Sequence, residues 1–349
     1  MPGSKLIKRY PHEPDSVKNM LLISLWLGAT LIALSLMSSI LMLPAPYNKY
    51  AGALVVILLV LPLPQGPLTT NPLHKMGYRL GDSIMEAASR YFGLSVYADD
   101  LDVLKKASSV HCKPGKGGII IPLTPHDVLP YPIFAFSPAL NIFGGTGFGR
   151  EGFLQGLMTG ILFKIPYLRH LYSYVMAGDV GKKNFLRILD EGGTAVFIPG
   201  GVQEVICMND ELKANPDSKK IFLYLNKRKG FVKLAILKGS AIVPCFVFGI
   251  DGSFTYKVMP GPPKLIEGIA KTLGFLPMLY FGRWGIPLGI AKPNKITVCL
   301  GLPILAEKSD EPSDEQIKAV HKQFCDATLK VFEENKQACG YGDREVVIV

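Results

Sequence analysis

One histidine stands where a proton could be taken from a substrate. His126 follows the apolar run from Gly118 to Leu123 and lies in a turn bracketed by Pro125 and Pro130. Imidazole is the usual proton acceptor at neutral pH, and flanking prolines restrict the backbone of a turn. The pattern therefore predicts a buried strand that delivers His126 to its end as a candidate general base. A loop histidine beside a core strand is the alternative interpretation.

A carboxylate follows a second predicted strand. Residues 194–199 are apolar and rich in β-formers, Gly200 and Gly201 come next, and Glu204 follows them. Paired glycines permit positive φ and close backbone approach, and α/β sheets meet their ligands at the carboxyl ends of strands. Glu204 is therefore a candidate site residue, with a solvated glutamate in an ordinary turn as the alternative.

Three consecutive cations form the third signal. Lys227, Arg228 and Lys229 stand at the start of a helix predicted over residues 226–238. Cations are unfavourable at this end of the helix dipole, so an anionic ligand is expected beside them. A solvated basic face is the alternative.

Other patterns are absent or weak. The chain has no Gly-x-Ser-x-Gly elbow, no Walker A lysine in the glycine run 144–149, no metal-ligand spacing and no basic stripe for nucleic acid. His321 and Asp326 are five residues apart within one predicted helix, and side chains at this spacing do not lie on the same face of a helix. The six cysteines form no CxxC pair and are expected to be reduced.

Hydrophobic residues concentrate near the N-terminus. The 349 residues carry a net charge of +10, and Met20–Leu43 contains no charged side chain. A second uncharged run, Tyr50–Leu63, follows after Pro44 and Pro46. We predict a helical hairpin that spans the membrane twice or re-enters one leaflet, with a cleaved signal peptide as the alternative. Basic residues on both flanks place both ends of the chain in the cytosol.

Short apolar runs alternate with helical patterns in the remaining chain. This alternation predicts an α/β fold with a mostly parallel sheet flanked by helices. We divide the chain into a cytosolic segment 1–19, a membrane hairpin 20–66 and a cytosolic domain 67–349. Within the domain we predict the strands 119–123, 194–199, 241–249 and 295–300, and the helices 182–189, 226–238 and 313–337. The apolar residues 153–171 are expected to form a core helix followed by a loop, with a face that lies on the membrane or lines a lipid-entry groove as the alternative.

Four sequence blocks follow one another along the chain. They are Tyr91-Phe92, Pro125-His126 with Leu129-Pro130, Lys183-Asn184-Phe185 leading to Ile198–Glu204, and Arg228–Ala235 with Gly239 and Val243-Pro244. In this order they resemble the blocks of the type-2 diacylglycerol acyltransferase family, which also contains monoacylglycerol and wax-alcohol acyltransferases, and the second block resembles the plant and algal form. Animal members carry His-Pro-His-Gly and plant members Glu-Pro-His-Ser, where this chain has Thr124-Pro125-His126-Asp127.

The resemblance implies a glycerolipid-acyltransferase-like fold and acyl-CoA-dependent O-acylation of diacylglycerol, giving triacylglycerol at the endoplasmic reticulum membrane with the catalytic domain facing the cytosol. Transfer would be direct, with His126 as general base and Glu204 or Asp127 orienting it. Backbone amides near Gly200 and Gly201 would stabilise the oxyanion.

The expected partners are acyl-CoA, diacylglycerol and membrane lipid, with no nucleic acid, no metal and no bound cofactor. Arg228, Lys229, Gly230 and Phe231 are the expected acyl-CoA-binding residues. Several alternatives stay open, namely monoacylglycerol or a long-chain alcohol as acceptor, a non-catalytic lipid- or acyl-CoA-binding protein, and an acyl-cysteine route. Assembly into a homo-oligomer and residence on lipid droplets also stay open.

Overall fold

The computed structural model describes residues 3–63, 70–140, 154–262, 265–266, 268–270 and 276–349. The glycine run 144–149 lies outside these residues. The helices are α1 Val17–Leu27, α2 Ala29–Met42, α3 Tyr47–Val60, α4 Pro72–Tyr91, α5 Leu101–His111, α6 Leu168–Tyr174, α7 Lys182–Asp190, α8 Val202–Ala214, α9 Gly230–Lys238 and α10 Asp314–Asn335.

The strands are β1 Lys5–Arg9, β2 Ser95–Ala98, β3 Ile119–Thr124, β4 Leu154–Met158, β5 Ala177–Asp179, β6 Thr194–Phe197, β7 Lys220–Leu223, β8 Ala241–Ile242, β9 Cys245–Phe248, β10 Thr255–Val258, β11 Met278–Phe281, β12 Thr297–Leu300, β13 Ile304–Leu305 and β14 Glu345–Ile348. The large sheet has the order β1-β2-β12-β9-β3-β6-β4-β5. Its part from β9 to β5 is parallel throughout, whereas β1 and β9 pair antiparallel with β2 and β12. The prediction of a central sheet flanked by helices is confirmed.

Both faces of β3 are buried. Ile119 and Ile121 belong to the core on the side of α1 and α4, and Ile120 belongs to the core on the side of α7, α9 and α10. A strand covered on both faces needs apolar residues at every position, which explains the uninterrupted apolar run before His126.

Three predicted elements differ in the structure, and the first of them, the helix predicted over residues 226–238, begins only at Gly230, after the three cations. The strand predicted over residues 241–249 is divided into β8 and β9 at Pro244, which has no N–H for a ladder hydrogen bond. The core helix predicted within residues 153–171 is wrong for residues 154–164, because residues 154–158 form β4 and Gly160–Lys164 forms a 3₁₀ helix, and an α-helix begins only with α6 at Leu168. Short apolar runs fit a buried strand as well as a helix.

The C-terminal helix is confirmed with its predicted start. The Ser313 hydroxyl accepts from the Gln316 backbone N–H, and the Gln316 side chain accepts from the Ser313 backbone N–H. This reciprocal pair satisfies two of the unpaired donors at the helix N-terminus.

The N-terminal apolar run is broken rather than continuous. No single helix within the described residues has the length and hydropathy of a membrane span, but α1 and α2 together do, with a 64° bend between them. The break lies at Gly28, where a Cβ would come within 2.6 Å of the Ser24 carbonyl oxygen. Ile23 and Trp26 of α1 are buried in the core, whereas Leu41 of α2 is 88% exposed.

Candidate active site

His126 lies directly beyond the carboxyl end of β3. Because β3 runs parallel to both β6 and β9, the ends of the three strands meet at one edge of the sheet. The Thr124 hydroxyl donates to the Cys245 carbonyl oxygen at 3.0 Å and ties the last residue of β3 to β9. The Thr124–Pro125 peptide bond is cis. The turn that carries His126 therefore starts from a fixed strand end, where α/β folds meet their ligands.

Glu204 joins two turns through main-chain hydrogen bonds. It lies in the first turn of α8 and is fully buried. Its Oε2 accepts from the His126 backbone N–H at 2.6 Å, and its Oε1 accepts from the Tyr224 backbone N–H at 2.9 Å. Glu204 thus contacts His126 as the sequence predicted, but it does so through the backbone and not through the imidazole.

The two glycines before α8 make room for this carboxylate. A Cβ on Gly200 would lie 1.7 Å from Glu204 Oε1. Gly201 has φ 58° and ψ −146°, a combination that is essentially restricted to glycine. The Gly-Gly-x-x-Glu spacing is therefore required to seat Glu204. The part of the Gly200 and Gly201 amides as oxyanion donors stays a prediction.

The imidazole of His126 lies in a desolvated position. Its Nδ1 is buried and has no hydrogen-bond partner among the residues that the structure describes. Burial lowers the pKa of His126 to about 4, although the Asp127 backbone opposes this effect. A neutral imidazole at physiological pH has a lone pair free to accept a proton.

The two carboxyl groups near His126 have raised pKa values. Burial raises the pKa of Glu204 to about 8, and the His126 and Tyr224 amides and the charge of Arg228 oppose this rise. Burial also raises the pKa of Asp127 to about 7, with a further contribution from the charge of Asp251. Asp127 Oδ2 is buried and has no partner within the described part of the chain. The predicted role of Asp127 in orienting the His126 ring stays a prediction.

Arg228 lies beside the same turn. Its Nη2 donates to the Gly200 carbonyl oxygen at 3.3 Å, and its guanidinium lies 5.2 Å from the centre of the Tyr224 ring. Gly200 and Tyr224 both contact Glu204, so the cation borders the carboxylate and the turn that holds His126. Its Nε is buried and finds no partner among the described residues. An anionic group at this edge would meet a preplaced guanidinium.

The next residues of this block are placed differently. Lys229 is the N-cap of α9. Burial lowers the pKa of His321 in α10, and the charge of Lys229 contributes to this lowering. Phe231 is buried in the core, with ring centres 5.4 Å from Phe197 and 5.1 Å from Phe324. Phe231 therefore positions α9 by packing, and the predicted contacts of Lys229, Gly230 and Phe231 with acyl-CoA stay predictions.

The Tyr-Phe block supports the histidine turn from behind. Tyr91 and Phe92 are fully buried; the Tyr91 hydroxyl donates to the Ala291 carbonyl oxygen at 2.7 Å, and Phe92 stacks on Tyr131 at 5.0 Å. The Tyr131 hydroxyl forms a 2.7 Å hydrogen bond with Ser253. Tyr131 and Tyr224 were not predicted from the sequence, although Tyr131 closely follows His126 and Tyr224 closely precedes Arg228.

An apolar pocket lies next to the turn that carries His126. Pro130, four residues after the histidine, lines it together with the 3₁₀ helix Tyr131–Phe136 that follows. Trp26 of α1 and Met85 of α4 close one side, and β4 and β5 contribute residues to the other. A site for apolar groups therefore adjoins the candidate base.

Cys112 and Cys207, the cysteines nearest to the motifs in the sequence, give no support to an acyl-cysteine. Burial raises the pKa of both Cys112 and Cys207, which lowers the fraction of the nucleophilic thiolate. The His321–Asp326 pair is separated as predicted, because His321 Nε2 lies 2.9 Å from the Leu225 carbonyl oxygen, whereas Asp326 pairs with Lys322.

Comparisons with known proteins agree with the motifs. Residues 104–349 match the profile of a family described as diacylglycerol acyltransferase. The chain is 31% identical to diacylglycerol O-acyltransferase 2 of Dictyostelium discoideum over 53% of this chain and 58% of that protein. It is 30% identical to 2-acylglycerol O-acyltransferase 1 of Bos taurus over 53% of this chain and 56% of that protein. The chain thus spans less than three-fifths of these relatives.

A longer match is weaker in identity. Acyl-CoA wax alcohol acyltransferase 2 of Mus musculus is 26% identical over 74% of this chain and 78% of that protein. The solved structure of the 1-acyl-sn-glycerophosphate acyltransferase PlsC of Thermotoga maritima covers 91% of this chain and 97% of its own, at 13% identity and a TM-score of 0.40. A likeness of that degree indicates neither mechanism nor substrate.

Proposed function

Since the chain belongs to the diacylglycerol acyltransferase family, we propose that it transfers an acyl group from acyl-CoA to diacylglycerol and makes triacylglycerol. The observation that carries the proposal is the placement of His126 at the carboxyl edge of the sheet, with its turn held by Glu204 and bordered by Arg228. A base, an anion-binding cation and an apolar pocket are the three features that this reaction needs.

The chemical step is a direct transfer. The acceptor hydroxyl attacks the thioester carbonyl carbon while His126 takes its proton, and the carbonyl oxygen becomes an oxyanion. When the carbon–oxygen double bond forms again, the carbon–sulfur bond breaks, and the imidazolium returns the proton to the leaving coenzyme A thiolate. Amides near Gly200 and Gly201 would stabilise the oxyanion, because the turn before a helix N-terminus presents N–H groups.

Glu204 would act on the reaction through position. Its carboxylate holds the main chain of His126 and leaves the imidazole free to face the acceptor. Arg228 would meet a phosphate of coenzyme A, for which a guanidinium offers two parallel donors. The small apolar pocket after Pro130 would take part of an acyl chain.

The substrates of this reaction place it at a membrane. Diacylglycerol is dissolved in the bilayer, and the exposed apolar surfaces of α2 and α3 suit a lipid environment. We propose that these helices, with α1, hold the domain on the cytosolic side of the endoplasmic reticulum membrane. Neither a metal nor a bound cofactor takes part in the proposed step.

A long-chain alcohol is the second candidate acceptor. The wax alcohol acyltransferase of Mus musculus matches over 74% of this chain, a larger part than the diacylglycerol acyltransferase of Dictyostelium. The hydroxyl chemistry is the same, so only the fit of the acceptor separates the two.

Separate assays with each acceptor test the proposal. Membranes from cells without neutral-lipid synthesis would carry the wild type, His126→Ala or the control His111→Gln, which alters a histidine in α5. Labelled acyl-CoA would be given with diacylglycerol, monoacylglycerol or hexadecanol. Triacylglycerol from the wild type and the control supports the proposal. Wax ester alone would favour the second candidate, and no ester from any acceptor would favour a lipid-binding protein.

A further inference from the structure

The turn Arg283–Gly285 exposes one of the two tryptophans of the chain. Trp284 is 65% exposed and has φ 58° and ψ 15°. This left-handed conformation is rare and unfavourable for a bulky residue, and such strain persists only where the surroundings impose it. Water is a poor environment for an indole ring, so both the exposure of the Trp284 ring and the left-handed backbone conformation of this residue need a structural reason.

Arg283 ties the turn to the start of α1. Its Nη1 donates to the Pro14 carbonyl oxygen at 2.6 Å, and its Nη2 pairs with Asp15 at 2.5 Å. The same guanidinium lies 4.4 Å from the Trp284 ring. Trp284 is therefore held beside the residues that precede the first apolar helix.

The outer face of α1 presents matching side chains at this point. Val17 and Leu21 are 66% and 65% exposed and lie one turn apart on the helix. Lys18 is exposed between them, and Ile286 is exposed two residues after Trp284. We call Val17, Lys18, Leu21, Trp284 and Ile286 the foot surface.

We propose that the foot surface docks on the headgroup–acyl boundary of an anionic phospholipid bilayer. Val17, Lys18 and Leu21 belong to α1, the first helix of the apolar N-terminal segment, and tryptophan is enriched at this depth because its ring is apolar and its N–H is polar. Asp15 beside this surface is paired with Arg283, and Lys18 would extend to anionic headgroups while its stem covers apolar surface.

The docked surface sets the height of the domain above the lipid. α1 runs from the foot surface to Trp26, which lines the apolar pocket beside the histidine turn. Lipid at the foot surface would therefore lie one helix away from the proposed acyl-chain site. This inference rests on the proposal that the chain works at a membrane, but it assigns a separate contact in the catalytic domain.

Tryptophan fluorescence tests the contact directly, because Trp26 and Trp284 are the only tryptophans. The full chain would be reconstituted into vesicles of phosphatidylcholine and phosphatidylserine as Trp26→Phe, which leaves Trp284 alone, and as Trp284→Phe, which leaves Trp26. Lipids brominated close to the headgroup or close to the bilayer centre would serve as quenchers. We expect the Trp284 emission to fall by about half with the shallow quencher, to fall less with the deep one, and to resist iodide.

Strong iodide quenching without bromine quenching would place Trp284 in water and overturn the inference. Resistance to both quenchers would mean that protein covers the ring, for example a second copy, and would overturn it equally. If Trp26→Phe does not fold, the wild-type signal minus that of Trp284→Phe gives the same quantity. Ester synthesis and membrane retention are measured on the same vesicles, so a failure of this contact is distinguished from a failure of the proposed function.

Discussion

Glu204 holds His126 by its main chain, with the carboxylate Oε2 2.6 Å from the His126 backbone nitrogen. The other oxygen of the same carboxylate holds the backbone of Tyr224. The turn after β3 and the turn after β7 are thereby fixed to the first turn of α8. The imidazole takes no part in this network.

Glu204→Gln should destabilise the protein and slow catalysis. An amide offers one oxygen, so its NH₂ group would face one of the two backbone N–H donors, and a buried donor would lose its partner. We expect the free energy of unfolding to fall by about 1–3 kcal/mol and kcat to fall more than the KM for acyl-CoA rises. Asp210→Asn, on the exposed side of the same helix, is the matched control and should change neither quantity. Wild-type stability in Glu204→Gln would show that the main-chain contact of the replaced oxygen contributes no net stability.

Gly200→Ala should disrupt the site although it adds only a methyl group. The new Cβ would lie 1.7 Å from Glu204 Oε1, so the carboxylate must leave its place. We expect loss of most activity and a lower melting temperature. Gly52→Ala in α3 has open space at its Cβ and is the control for the substitution itself. A fully active Gly200→Ala would mean that Glu204 does not need its observed position.

The stability of the protein should fall as the pH rises through the range in which Glu204 titrates. Burial raises the pKa of its carboxyl to about 8, above its ordinary value of 4.5. Between these values the folded state binds more protons than the unfolded state, so this contribution is complete below the lower value and is lost toward the higher one. Asp127, with its pKa raised to about 7, contributes in the same direction.

Denaturant unfolding of the wild type and of Glu204→Gln at several pH values checks this sign. The wild-type free energy of unfolding should decline more steeply from about pH 5 to about pH 8 than that of the variant, because the amide does not titrate. Parallel curves would mean that the Glu204 carboxyl has the same pKa in both states.

Arg228→Ala should weaken the use of acyl-CoA and leave the use of the acceptor unchanged. The guanidinium lies against Gly200 and Tyr224 at the edge of the site, where a phosphate would meet it. We expect the KM for acyl-CoA to rise about tenfold, with partial recovery in Arg228→Lys. Lys233→Ala removes an exposed cation of α9, the helix that follows Arg228, and serves as the control. An unchanged KM in Arg228→Ala would remove Arg228 from the acyl-CoA site.

The elements that carry the site were predictable because local rules dictate them. The apolar run before His126, the glycine pair before Glu204 and the capping box of α10 each follow from neighbouring residues. The bend at Gly28 and the strand β4 were not predicted, since a long apolar run does not reveal where a helix breaks, and a short one fits helix and strand alike.

The contacts within the site depended on the tertiary structure. The family resemblance implied that Glu204 would orient His126, but not that the hydrogen bond would reach the backbone. Phe231 stands in the same block as Arg228, yet packing against Phe197 and Phe324 takes its ring into the core. Three-dimensional packing alone decides which residue of such a block faces the site.

The role of His126 as the base is tested most directly by the rate of triacylglycerol formation in His126→Ala. Alanine keeps the backbone N–H that Glu204 accepts, so the variant should fold and reach the membrane like the wild type. At equal amounts of protein, with labelled acyl-CoA and diacylglycerol, we predict a rate about 10²–10⁴-fold lower than that of the wild type. A folded His126→Ala variant that keeps more than half of the wild-type rate would contradict the assignment of His126 as the general base.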